Sequence, residues 1–199
     1  MIFEQLFDEK SSTYTYIIAS GKGREGLIID PVIEKTEIYL NFLESMELKL
    51  VNVIDTHIHA DHITGLNELH KRTNCLKIMG ENSKSEVIDL RVKENDKIKI
   101  EKLELKTIYT PGHTDCSYSF LLDDKIFTGD TLLINGTGRT DFQNGDPKAQ
   151  YDGSGAVAQG LYAINCYMGY KPFLVGFIAM LTVGIICILT IEIYLKLFI

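Results

Sequence analysis

The chain has 199 residues, 45% of them hydrophobic and 24% charged, and a formal net charge of −7 from 27 acidic and 20 basic side chains. That length suits one ordinary domain, or a smaller domain with an appendage. The acidic balance excludes electrostatic binding of nucleic acid, which depends on Lys and Arg neutralising phosphates.

Charge is unevenly placed. From Gly153 onward only Lys171, Glu192 and Lys196 are charged, so an acidic head is joined to a nearly uncharged tail. The start, "MIFEQLFDEKSS", is acidic and has no apolar run preceded by Lys or Arg, which argues against a secretory signal. The four cysteines (Cys75, Cys116, Cys166, Cys187) form no CxxC pair. Neither a thiolate zinc site nor a disulfide framework is indicated, and a cytoplasmic, reducing setting is expected for the head.

"TYTYIIAS" (13–20) and "GLIIDP" (26–31) are rich in β-branched and aromatic residues and end in turn formers, so both read as strands. The intervening "GKGREG" satisfies GxGxxG, but it joins strand to strand. It reads as a hairpin turn, because a dinucleotide site needs a helix N-terminus to hold the pyrophosphate. Residues 34–47 place Tyr39, Phe42, Leu43 and Met46 at helical spacing, which predicts an amphipathic helix against a sheet. "LKLVNVIDT" (48–56) is a buried strand, "TGLNELHKRT" (64–73) a short helix and "LKIMG" (76–80) another strand. "KIKI" (97–100), "LELKTIYT" (103–110), "CSYSFLL" (116–122) and "KIFTGD" (125–130) complete the strands, with a tight turn at Asp123–Asp124. Many strands with a few covering helices indicate an α/β or α+β sandwich.

The tail breaks this rhythm. Residues 151–160, "YDGSGAVAQG", have linker character, and a linker is expected over 153–172 between a head at 1–152 and an apolar run at 173–191. That run, "FLVGFIAMLTVGIICILTI", is uncharged; as a helix rising ~1.5 Å per residue it would span about 28 Å, close to a bilayer's hydrocarbon thickness. A membrane-spanning helix is therefore expected, with a buried core helix as the plainer alternative. One Lys on each side leaves its orientation undecided.

Chemistry concentrates in "THIHADH" (56–62). His57 and His59 are two apart, so a strand end puts both imidazoles on one side, with Asp61 and His62 following in the loop. A lone His pair is more often structural, whereas HxHxDH is specific for metal. "TPGHTD" (110–115) presents His113 directly after a strand and "FTGDTL" (127–132) presents Asp130 at the end of another, as distant ligands. Each alone would read as turn chemistry. His70, in the helix after the cluster, reads as a surface residue, and Cys116 as a small buried hydrophobe beside His113.

In "THIHADH", "PGHTDCS" and "FTGD" the chain resembles the metallo-β-lactamase superfamily, and in "GTGRTDFQNGD" (136–146) it resembles the persulfide (sulfur) dioxygenases, relatives of the glyoxalase II hydrolases. The resemblance covers residues 1–152. It implies an αββα sandwich and one Fe(II) held by His57, His113 and Asp130. These three, with Asp61, form the catalytic set, while His59, Asp61 and His62 surround the metal or mark a second one. Two imidazoles and one carboxylate are the facial triad of non-haem iron oxygenases. Arg139 matches the position that grips the carboxylate of glutathione persulfide, the implied substrate with dioxygen; a homodimer is also implied.

The rival is a glyoxalase II-like thioester hydrolase with two Zn(II), which needs a second-ion histidine late in the chain; none of the five histidines follows Asp130. Relatives continue beyond this point to supply that histidine, the second layer of sheet and much of the glutathione pocket. Their replacement by the tail predicts an incomplete sandwich. It also raises a third reading, an inactive metal-binding remnant tethered to a membrane.

Overall fold

The computed structural model describes residues 1–167. Met1–Val157 form one compact unit and Ala158–Ile199 a second. In the first, a six-stranded sheet has the order β1 (Ile2–Asp8), β2 (Thr13–Ala19), β3 (Glu25–Ile29), β4 (Lys49–Ile54), β5 (Leu76–Gly80), β6 (Leu90–Val92). β1 to β3 run antiparallel and β3 to β6 parallel. The switch follows from connection length: the GKGREG turn can only reverse the chain, pairing Ala19 with Gly26. Passage from β3 to β4 goes through helix α1 (Thr36–Ser45), and from β4 to β5 through α2 (Leu66–Thr73), as parallel neighbours require.

A four-stranded antiparallel sheet follows, β7 (Lys97–Ile100), β8 (Leu103–Tyr109), β9 (Tyr118–Leu122) and β10 (Lys125–Phe127), in the order β10-β9-β8-β7. Asp123 and Asp124 make the β9–β10 turn, with Asp123 at φ 47°. Alternation along β7 and β8 aims Ile98, Ile100, Leu103 and Leu105 inward and Lys97, Lys99, Glu104 and Lys106 outward. The inward set meets Ile18, Leu27, Ile29, Ile54 and Ile78 in a core between the sheets. On the other face of the first sheet, Tyr39 and Leu43 of α1 and Leu66 and Leu69 of α2 pack against Ile17, Ile28 and Val53. β3 and β4 read as near-continuous apolar runs because both their faces are covered.

Three expectations are corrected. A second layer of sheet is present among the described residues, four strands built by residues 97–127. β1 and β6 escaped sequence reading, β1 because its faces alternate between partial and full exposure, β6 because three residues carry no period. The stretch read as linker is helical as far as it is described, in α3 (Pro147–Tyr167). Gly153 explains the misreading: a Cβ there would lie 3.2 Å from the Pro111 carbonyl oxygen, so this glycine permits close approach to the chain at 110–111. Val157, one turn on, is fully buried. No helix among the described residues is long and apolar enough to cross a membrane; the span expected at 173–191 lies outside them.

At Gly80 the first sheet packs tightly against the second, where a Cβ would fall 2.2 Å from Tyr118 Cδ2. Gly80→Ala is expected to destabilise the protein by about 1–3 kcal/mol through overpacking, read as a lower midpoint in denaturant unfolding. An unchanged midpoint would show that the sheets can part there without cost.

Candidate metal centre

β4 ends at Ile54, and the chain from Asp55 to His62 emerges at the carboxyl ends of the parallel strands, beside the end of β3. Asp30 follows β3 directly, in a left-handed conformation (φ 50°). Its Oδ1 accepts the Thr56 backbone N–H at 2.7 Å and its Oδ2 the Thr56 hydroxyl at 2.9 Å. His59 Nε2 lies 3.1 Å from the same Oδ1. Because the Thr56 hydroxyl donates to Asp30, Thr56 Oγ1 accepts from His57 Nδ1, 2.9 Å away. That fixes the His57 tautomer and leaves Nε2 with the free lone pair.

His113 is prepared in the same way. Its Nδ1 donates to the Arg139 carbonyl at 2.8 Å, and its Nε2 lies 3.4 Å from Asp130 Oδ2. His57, His113 and Asp130 each offer a ligand atom, all within 4.8 Å of one another. A second group, His59, Asp61 and His62, meets the same limit, as does a third, Asp30, Asp55 and His59. All the residues expected around a metal in the head therefore converge, from β4, the β8–β9 loop and the turn after β10.

Electrostatics separates their roles. Burial, reinforced by the neighbouring His59 and His113, holds the His57 imidazole well below its usual range, so it stays neutral and able to donate a lone pair. For His59 burial acts in the same direction, but Asp30, by charge and hydrogen bond, with Asp55 and Asp61, outweighs it and pushes the imidazole up to about 9. Burial raises the Asp130 carboxyl, against the pull of His113 and His59. Burial also raises Asp55. Asp61 is lowered: against burial, the hydrogen bond and charge of His62 hold it ionised.

The residues fit a metal ion on structural grounds. Two tied imidazoles face one carboxylate that burial leaves poorly solvated, and His62 Nε2 is buried with no hydrogen-bond partner. The cradle tolerates no side chains. A Cβ on Gly138 would sit 2.8 Å from His113 Nδ1 and 2.5 Å from the Asp130 carbonyl oxygen, and one on Gly129 would sit 2.4 Å from Thr56 Oγ1.

The model for the metallo-beta-lactamase superfamily matches residues 9–163. The chain belongs to that superfamily. Within it, the chain is 40% identical over 154 residues to the mitochondrial persulfide dioxygenase ETHE1 of Mus musculus, covering 76% of this chain and 60% of that protein. It is 30% identical over 147 residues to a hydroxyacylglutathione hydrolase of Dictyostelium discoideum, covering 70% and 54%. The crystal structure of ETHE1 from Myxococcus xanthus aligns with a TM-score of 0.77 and 42% identity, covering 82% of this chain and 71% of that one. The chain thus spans about three fifths of the mouse relative's length.

The other residues singled out in the sequence lie in different settings. The Arg139 guanidinium is exposed and forked onto Asp141, Nε to Oδ1 at 2.7 Å and Nη2 to Oδ2 at 2.9 Å, while its carbonyl serves His113. His70 stands apart, with Nδ1 2.7 Å from the Cys75 carbonyl oxygen. Cys116 is buried, 3.3 Å from Thr114 Oγ1. Sequence reading missed Asp30, Thr56 and Thr13. The Thr13 hydroxyl donates to Asp61 Oδ2 at 3.1 Å and lies 3.3 Å from His62 Nδ1, reaching the centre from β2.

The state of His59 is open to titration. In the metal-free protein its folded value of about 9 exceeds the unfolded ~6.5, so its contribution to stability is complete below pH ~6.5 and is lost as pH rises through about 9. Histidine NMR on metal-free protein is expected to find one imidazole still protonated at pH 8 in the wild type and neutral there in Asp30→Asn. Wild-type titration of every histidine near 6.5 would contradict the Asp30 contact.

Proposed function

We propose that the chain is a mononuclear non-haem iron dioxygenase that oxidises a glutathione persulfide-type substrate to sulfite and thiol. The observation that carries the reading is the convergence of two imidazoles and one carboxylate, His57, His113 and Asp130, from three separate segments. The similarity to persulfide dioxygenases supports the substrate class. The overall change balances as persulfide, dioxygen and water giving thiol and sulfurous acid: the terminal sulfur gains three oxygens, dioxygen is reduced, and the S–S bond is cleaved.

His57, His113 and Asp130 would hold Fe(II), which with three protein ligands keeps open positions and supplies the redox partner that dioxygen chemistry requires. Every other task falls to side chains. Thr56 and the Arg139 carbonyl keep both imidazoles in the ligating tautomer. Asp30 retains His59 as a protonated partner, which leaves a cation beside the site where a persulfide anion would arrive. Arg139 exchanges its Asp141 fork for a substrate carboxylate, since an exposed pair of this kind contributes little stability of its own.

A second reading has one specific support. His59, Asp61 and His62 also lie within ligand distance of one another, so a dinuclear Zn(II) site of the thioester-hydrolase kind has local residues available. The greater likeness to persulfide dioxygenases than to hydroxyacylglutathione hydrolases favours the first reading; the Asp30–His59 contact occupies Nε2 and leaves Nδ1 facing Asp61.

Iron-loaded protein is expected to consume oxygen with glutathione persulfide and release sulfite, with one iron per chain, and His113→Ala to lose most of that uptake. Two zinc ions per chain together with hydrolysis of a glutathione thioester would favour the second reading. Arg139→Gln is expected to raise KM at least tenfold, with a smaller effect on kcat, since a bidentate contact to a charged group is lost.

A further inference from the structure

One residue outside every motif lies against both of the loops that bring His113 and Asp130 to the centre, by its side chain on one and its backbone on the other. Gln150 lies in the first turns of α3 and is 4% exposed. Its Nε2 is 3.1 Å from the Asp130 carbonyl oxygen and 2.9 Å from that of Thr131. Two carbonyls can be served only by the amide NH2, so the orientation of the amide is settled by its partners. Oε1 is then left buried with no partner. A leucine of similar volume would fill the same space without stranding an acceptor, so packing alone does not account for a glutamine here; two donors aimed at the ligand turn do.

The backbone of the same residue meets the other loop. Gly112, immediately before His113, has φ +143°, and a Cβ on it would fall 2.2 Å from Gln150 Cα and 2.3 Å from Gln150 N. Asp146 N donates to the Gly112 carbonyl at 2.8 Å, one turn earlier. Ser154 Oγ adds a contact to the Thr131 carbonyl at 3.3 Å, and Thr131 Oγ1 donates to the Thr110 carbonyl at 3.2 Å. The start of α3 therefore ties the His113 loop to the Asp130 turn.

We propose that Gln150 is a positioning residue for the metal: by holding the Asp130–Thr131 carbonyls while its backbone bears on Gly112, it sets the separation of His113 and Asp130. This rests on the reading that those two residues are ligands. Residues that orient ligands without touching the metal typically change metal affinity about tenfold to a hundredfold when removed. The cost appears in affinity and ligand geometry before it appears in folding.

Cobalt(II) binding to the full chain tests this without recourse to activity, using the visible spectrum to report ligand geometry. Gln150→Leu is expected to keep the wild-type thermal midpoint in the metal-free state to within a few degrees. It is expected to bind cobalt about tenfold to a hundredfold more weakly, with shifted visible bands. Gln150→Met, which keeps the length but not the donors, is expected to behave in the same way, and is the variant to measure if Gln150→Leu does not fold. Wild-type affinity and spectrum in either folded variant overturn the proposal. If cobalt binds the wild type and His113→Ala equally, the ligand assignment fails and the proposal falls with it; loss in His113→Ala with no change in Gln150→Leu overturns the positioning role alone.

Discussion

The centre depends on one carboxylate. Asp30 is buried at the end of β3 and takes three hydrogen bonds, from the Thr56 N–H, the Thr56 hydroxyl and His59 Nε2. An ionised carboxylate in such a place is stable only when its lone pairs are used, and removing one member of a buried charged group costs several kcal/mol. Its three partners are the ones that shape the HxHxDH loop. Through Thr56 it fixes the tautomer of His57, and through its hydrogen bond and charge it orients His59 and strengthens that imidazole's hold on a proton in the metal-free protein. The fold makes this contact by laying β3 parallel to β4, so that the carboxyl ends of both strands open side by side.

His57 and His59, two residues apart in one motif, are driven in opposite directions by their surroundings. Burial and neighbouring imidazoles lower His57, whereas the carboxylates of Asp30, Asp55 and Asp61 raise His59 against its own burial. Two environments push like groups apart in protonation, a recurrent way of assigning different tasks to identical side chains. Asp61 is in turn occupied by His62 and Thr13, which leaves the triad of His57, His113 and Asp130 as the group least committed elsewhere.

What the sequence made legible was local. HxHxDH is readable because strand alternation and a short loop suffice to bring its members together, and His113 and Asp130 because each follows a clear strand signal within a short motif. Asp30 was not legible: in "IIDP" an aspartate before proline reads as turn chemistry, and its meaning arises only once β3 and β4 are neighbours. The second sheet was legible strand by strand, yet its assembly into a layer was not, because the order β10-β9-β8-β7 arises only from the pairing of strands. Gly153 and Gly155 suggested a linker where a helix begins, since a glycine kept for close packing is indistinguishable in sequence from one kept for flexibility.

That Asp30 shapes a one-metal centre of His57, His113 and Asp130 is tested most directly by the position of the metal itself. Crystals of iron-loaded protein measured on both sides of the iron absorption edge would locate it. The account predicts a single anomalous peak among His57, His113 and Asp130, with His59 Nε2 still on Asp30. Two peaks, or one peak with His59 among its ligands, would contradict it.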